Sequence, residues 1–219
     1  MVMDKNINVA VDLLVFTIDD QKLKVLMVKR EYAPYAGWLA LPGVLVGHDE
    51  TLDEAAERGI REEVGLENIY FEQLYTWGAL DRDPRNRTIS VSYMALVPVE
   101  QIQDFAAGQR TTDAVLMEVG GLLDMEDIAF DHKEIIRYAK WRLANKVEYT
   151  KIAFHLLPEE FTLPELQKVY EILLDKKLYK ANFRKKVSPL VEETDQYTSG
   201  DAHRPSKYYR LREDTIAEM

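Results

Sequence analysis

Apolar residues run at strand-like density near the start of the chain. Val9 to Thr17 is rich in Val, Leu and Phe, and Leu23 to Val28 repeats the pattern after the polar break Asp19-Asp20-Gln21-Lys22. Two such runs around a short polar turn predict a β-hairpin. Pro34, Gly37, Pro42 and Gly43 then force an irregular loop around Trp38. From Thr51 to Val64 the spacing becomes helical, with Leu52, Ala55, Ala56, Ile60 and Val64 on one side and Gly65 as the stop. Strands are expected at roughly Ile69 to Trp77, Thr88 to Pro98 and Val115 to Val119, and a helix over Asp131 to Lys146 that turns Ile135, Ile136, Ala139 and Leu143 inward. Strands and helices interleaved without βαβ repetition indicate an α/β (α+β) sandwich for this part.

A second set of signals follows. Thr162-Leu163-Pro164-Glu165 reads as a capping box with Pro early in the helix, where its missing N–H costs little. The helix runs to about Leu174 with Leu166, Val169, Tyr170 and Leu173 inward, and a turn through Asp175-Lys176-Lys177 leads to another, Tyr179 to Ser188, closed by Pro189. Leu190 to Thr194 and Lys207 to Leu211 read as two strands joined by a polar loop containing Gly200. Helix, turn, helix and hairpin is the order of a winged helix-turn-helix. A chain of 219 residues has room for one large domain or for one ordinary domain plus a small one, either able to bury its own core, and these motifs favour two. The division is placed at 1–150 and 151–219, between Lys146 and Pro158.

Composition, 47% hydrophobic and 30% charged, excludes a disordered or low-complexity chain. The absence of cysteine excludes disulfides, thiolate zinc sites and cysteine nucleophiles. The Val9 to Thr17 run is broken by Asp12 and too short for a bilayer, and no secretory signal is visible, so a cytoplasmic protein without a membrane partner is expected. A net charge of −10 argues against nucleic acid until its distribution is considered. Residues 1–146 carry 16 Lys+Arg against 25 Asp+Glu, whereas residues 147–219 carry 12 against 13. Lys176 to Pro189 has six basic residues and no acidic one, and screening confines charge effects to about 10 Å, so this stretch forms a local basic face.

Gly43 to Leu66 resembles the box of the Nudix family, whose pattern is G-x5-E-x7-R-E-U-x-E-E-x-G-U with U a bulky apolar residue. Glu50, Arg58, Ile60, Glu62, Glu63, Gly65 and Leu66 fall on their places, and Trp38-Leu39-Ala40-Leu41-Pro42-Gly43 leads in as in the family. Val44 stands where the leading Gly belongs and Gly59 where the Glu after Arg58 belongs. The resemblance implies a Nudix sandwich whose box carboxylates hold Mg²⁺ or Mn²⁺ against a diphosphate. Positions 59, 62 and 63 share one helical face, so this chain offers two carboxylates, Glu62 and Glu63, where an intact box offers three. Metal binding is expected to be weak or absent and hydrolysis doubtful, with Glu50 and Arg58 read as an ion pair that closes the loop on the helix.

Trp77 to Arg87 reads as a loop between strands bearing Arg82, Arg85 and Arg87. Guanidinium forks suit phosphates, while Trp38 or Tyr32 would stack on a base. With Arg30, these are the candidate ligand contacts. The C-terminal part, with Asn182-Phe183-Arg184-Lys185-Lys186 on the second helix and Arg204-Pro205 before Tyr208-Tyr209-Arg210-Leu211, resembles the winged helix of the Nudix-related transcriptional regulators of NrtR type. That resemblance implies operator DNA as partner. Asn182 and Arg184 would reach base edges, Lys180, Lys185 and Lys186 would hold phosphates, and Arg204 and Lys207 on the wing would touch the backbone or minor groove. It also implies a homodimer whose effector is ADP-ribose or a sugar such as arabinose. The alternative is a Mg²⁺-dependent hydrolase of ADP-ribose-like diphosphates with the winged helix as an accessory.

Overall fold

The computed structural model describes residues 7–102, 114–199 and 205–212. Strand β1 (Asn8–Asp19) is the spine of a seven-stranded sheet. Its second half pairs antiparallel with β2 (Lys22–Lys29), and its first half pairs antiparallel with the short β4 (Gly43–Leu45). On its other edge β6 (Thr88–Leu96) runs parallel to it, from Asn8 opposite Thr88 to Phe16 opposite Leu96. Strand β5 (Tyr70–Trp77) borders β6, while β3 (Leu39–Ala40) and β7 (Ala114–Glu118) pair with β2.

Side chains alternate across a strand, so β1 feeds two cores. Val11, Leu13 and Val15 face helix α1 (Leu52–Gly59), which buries Ala55 and Ala56, and the turn that continues it. Leu14 and Phe16 face the other way, towards α2 (Val119–Asp124) and α3 (His132–Lys146). The two-core arrangement is the expected sandwich.

Helix α1 departs from the expected phase. After Gly59 the chain forms a π-helical turn, Ile60–Val64, ended by Gly65 in the left-handed region at φ 75°. The wider turn breaks the α-helical register that would set residues 59, 62 and 63 on one face. A Cβ at Gly59 would lie 3.1 Å from Leu13 Cδ1 and from Val44 Cγ2, so this residue lets the helix approach the sheet closely.

The second core does not stop after α3. It continues through a 3-10 turn (Ile152–Leu156) into α4 (Leu163–Leu174) and α5 (Lys180–Val187), joining Leu14, Phe16, Ile135, Ile136, Ala139 and Leu143 to Phe154, Leu166, Tyr170, Phe183 and Val187. Strands β8 (Phe161–Thr162), β10 (Lys207–Leu211) and β9 (Val191–Tyr197) form a three-stranded sheet in that order, which completes the winged helix. The expected wing-loop Gly200 lies outside the described residues. Strands of two or three residues, such as β3 and β8, carry too few positions for a periodic signal, which is why the sequence pattern misses them.

A clamp fixes the turn between α4 and α5. Glu171 accepts from Lys177 Nζ at 2.9 Å, Gln167 Nε2 at 3.0 Å and the Leu178 N–H at 3.0 Å, while Gln167 also donates to the Leu178 carbonyl at 2.9 Å. These donors, Lys177 first, hold the Glu171 carboxyl down at about 2. Glu171→Ala strands a backbone N–H and should lower stability by about 1–3 kcal/mol, read as a shift of the urea midpoint.

Candidate ligand pocket and nucleic-acid interface

Asp12 interrupts the apolar run of β1 and is almost fully buried, as is Arg82 from the loop before β6. Arg82 Nη2 donates to Asp12 Oδ2 at 3.0 Å, and its Nε and Nη2 grip both oxygens of Asp131 at 2.9 and 2.8 Å. Ser90 Oγ donates to Asp12 Oδ2 at 2.5 Å. His132, 4% exposed, accepts the Leu41 N–H on Nδ1 at 2.8 Å, which leaves its proton on Nε2, 3.6 Å from Asp12 Oδ1. Burial pushes the His132 pKa down against the pull of Asp12 and Asp131, so the ring is neutral.

This network floors a cavity of about 300 Å³ between the start of β1, β4, the arginine loop and Phe130. Two guanidiniums stand at its rim over one aromatic ring. Arg30 Cζ lies 4.7 Å and Arg85 Cζ 5.6 Å from the Phe130 centroid. Partial burial, then the charge of Arg85, lowers the Arg30 pKa against the pull of Asp83, whereas Arg85 is raised by its own bond to Asp83, so Arg30 is the less compensated of the two cations. Arg30 donates to the Pro34 carbonyl at 2.9 Å, and Arg85 holds Asp83 through Nε at 3.0 Å and Nη2 at 2.8 Å. An anion between Arg30 and Arg85 would relieve their repulsion.

The remaining candidates are placed differently. Trp38 packs on Tyr35 at 5.1 Å and Tyr35 on Phe130 at 5.0 Å, so Trp38 buttresses the rim and is not among the lining residues. Arg87 ties the base of its loop by donating to the Gly78 and Ala79 carbonyls. Arg82 lines the cavity but is committed to two carboxylates. Asp12, Phe130, Asp131 and His132 were not foreseen, and the available signal was the charge of Asp12 inside a core strand.

In the Nudix box, Arg58 grips Glu50 through Nε at 3.0 Å and Nη2 at 2.7 Å, bonds the Leu45 carbonyl at 2.9 Å and reaches Glu62 at 3.1 Å. Glu50 also accepts the Gly47 N–H at 2.6 Å, and these bonds, Arg58 first, hold it at about 2. Of the box carboxylates only Glu63 is clear of Arg58, and Gly59 supplies none. Among the described residues no group of three His, Asp or Glu is arranged to hold a metal.

On the winged helix, Phe183 and Val187 anchor α5 in the core and leave Lys180, Asn182, Arg184 and Lys185 exposed on its outer side. Lys186 instead donates to the Glu148 carbonyl at 3.0 Å and lies 5.2 Å from the Tyr170 ring centroid, so it is bound to its own protein. Lys176 pairs with the Glu148 carboxylate at 3.1 Å. Lys207, at the start of β10, pairs with Glu193, and Arg204 lies outside the described residues. Tyr179, 85% exposed at the start of α5, adds an aromatic group beside the basic ones that sequence reasoning had not singled out.

Arg82→Ala leaves two buried carboxylates without their cation and should cost about 3–5 kcal/mol, measured by urea unfolding. Acidification provides a second check. Because the folded protein holds His132 neutral while the unfolded chain takes up its proton near pH 6.5, stability should fall as pH drops below that value, by at most about 1.4 kcal/mol per unit for this group. His132→Gln should flatten that part of the thermal-melting profile.

Residues 7–139 match the NUDIX domain and residues 153–211 the NrtR DNA-binding winged helix domain. The chain is 36% identical over 205 residues to the ADPR responsive transcriptional repressor NtrR of Acinetobacter baylyi, covering 92% of this chain and 80% of that one. It is 35% identical over 120 residues to the ADP-ribose pyrophosphatase of Methanocaldococcus jannaschii, covering 54% and 68% of the two chains. Shewanella oneidensis NrtR complexed with a 27mer DNA superposes with a TM-score of 0.85 at 35% identity, covering 95% of both chains. The NUDIX domain of that protein complexed with ADP ribose superposes with a TM-score of 0.55 at 35% identity, covering 64% of this chain and 90% of the other. A Nudix sandwich with a degenerate box, joined to a winged helix that presents a basic second helix, places this chain in the NrtR family.

Proposed function

We propose that this protein is a transcriptional repressor that binds operator DNA through α5 and the wing, and is released when ADP-ribose enters the pocket beneath Arg30 and Arg85. The observation that carries this reading is the pair of guanidiniums over Phe130, an anion receptor in a chain whose Nudix box has lost a metal-holding carboxylate. Crowded cations call for a diphosphate and have no use for a neutral pentose, so ADP-ribose is preferred to arabinose. The relatives that respond to, cleave or carry ADP-ribose support the same choice.

Asn182 and Arg184 would read base edges, while Lys180 and Lys185 hold phosphates. Operator recognition by a two-fold dimer needs a second copy, and an aromatic surface on the β5 edge and α3 offers a place for it. Tyr75, Trp77, Tyr138 and Trp141 pack edge-on or tilted against one another with ring centroids 5.1 to 5.8 Å apart, and Trp141 is 58% exposed.

Fluorescence anisotropy with duplex from the protein's own promoter tests the assignment. Arg184→Glu with Lys185→Glu should weaken binding more than tenfold. Arg30→Ala with Arg85→Ala should keep DNA binding and lose its response to ADP-ribose. Hydrolysis of ADP-ribose with Mg²⁺ at about 1 s⁻¹ or faster, without specific DNA binding, would establish the hydrolase reading instead.

A further inference from the structure

Helices α1, α3 and α4 each begin on a residue suited to capping: Thr51, Asp131 and Thr162. The two threonines do so with full capping boxes and extended backbones, at φ −76°, ψ 169° and φ −92°, ψ 153°. Asp131 does not. Its backbone sits at φ −93°, ψ 15°, and its side chain makes no cap hydrogen bond, because both carboxylate oxygens are given to Arg82. Asp is among the best N-cap residues, so α3 has forgone a contact that its sequence supplies. The residue before it, Phe130, lies in the left-handed region at φ 56°, where a bulky aromatic side chain is an outlier. Its ring is the platform under Arg30 and Arg85. The His132 and Glu134 N–H groups are bonded to the Ala129 and Asp131 carbonyls, so it is the side-chain cap alone that is missing. A helix start without its side-chain cap and a strained residue therefore adjoin each other at the wall of the proposed ligand pocket.

We propose that Asp131 is a two-position switch. Without ligand it holds Arg82; when a phosphoryl oxygen of the ligand takes Arg82, Asp131 swings back to cap α3. This inference rests on the reading that the pocket takes the diphosphate of ADP-ribose. Charge remains matched in both positions. Arg82 keeps Asp12 and exchanges one anionic partner for another, while Asp131 exchanges a guanidinium for first-turn N–H groups and the positive end of the helix dipole. Capping moves the Asp131 backbone towards the extended setting of Thr51 and Thr162 and gives Phe130 freedom to leave its strained setting. The ligand thus makes a contact that one state offers and the other does not, which is what a shift between states requires.

Helix α3 carries the change across the protein. It has 15 residues, about 22 Å at 1.5 Å per residue. Its buried side, from Ile135 and Ile136 to Ala139, Leu143 and then Val147, shares one core with Leu166, Val169 and Tyr170 of α4. Resetting the first turn of α3 shifts a rigid rod whose far end seats the winged helix.

The test uses the full chain, calorimetry with ADP-ribose and anisotropy with promoter duplex. Asp131→Ser keeps the capping ability but is too short to grip Arg82. Without ADP-ribose its operator affinity should fall to within about threefold of the parent protein saturated with ADP-ribose, and it should bind ADP-ribose several-fold tighter, because the switch is already thrown. Asp131→Ala, which frees Arg82 but cannot cap α3, should lose the response and gain less ADP-ribose affinity than Asp131→Ser. A merely structural Asp131 would weaken ADP-ribose binding in both variants. If Asp131→Ser does not fold, Arg82→Lys gives up the bidentate grip on Asp131 yet keeps the charge, and should likewise lower unliganded operator affinity. Parent-like operator affinity with a full response in Asp131→Ser overturns the switch alone. Failure of the parent protein to bind ADP-ribose overturns the pocket reading and the switch with it.

Discussion

A carboxylate in the middle of a core strand has to be neutralised, and the manner in which Asp12 is neutralised organises the rest of this protein. Its counter-ion, Arg82, comes from a loop 70 residues further on and is shared with Asp131 at the head of α3. One guanidinium therefore fixes a strand, a loop and a helix to each other, and the cavity they enclose is the place where Arg85 of the same loop and Arg30 from the end of β2 meet over Phe130. Buried charges in such a site are costly to strand and make a weak case for stability alone. Their presence is better understood through what they position than through what they add to folding.

Much of the architecture was legible in the chain because the local signals agree with one another. The alternation of β1 and β2, the capping boxes at Thr51 and Thr162 and the glycine stop at Gly65 each define an element from residues that lie within a few positions of each other. The Nudix-box ion pair of Glu50 and Arg58 followed from the family resemblance. The pocket was not, because Asp12, Arg82, Phe130 and His132 are brought together only by the sheet. Of the arginines proposed from sequence, Arg30 and Arg85 stand at the rim, whereas Arg87 is spent on backbone carbonyls. Composition identifies a guanidinium, and only tertiary structure shows which partner occupies it.

The departures from the Nudix pattern also acquire a physical meaning. Gly59 permits α1 to approach Leu13 and Val44 at a distance that a Cβ would crowd, so the loss of a carboxylate coincides with tighter helix packing. Arg58, in turn, engages two carboxylates of the box. The loop and helix of the box are tied together by their own charges.

Glu148, just beyond the end of α3, holds Lys176 through its carboxylate and Lys186 through its carbonyl. Two of the basic groups around the recognition helix are thus already matched to a partner within the chain. When a nucleic-acid phosphate takes Lys176 from Glu148, one ion pair replaces another, and the counterions freed from the duplex are offset by those the exposed glutamate attracts. The dependence of affinity on ionic strength will therefore be shallower than the six basic residues between Lys176 and Pro189 suggest.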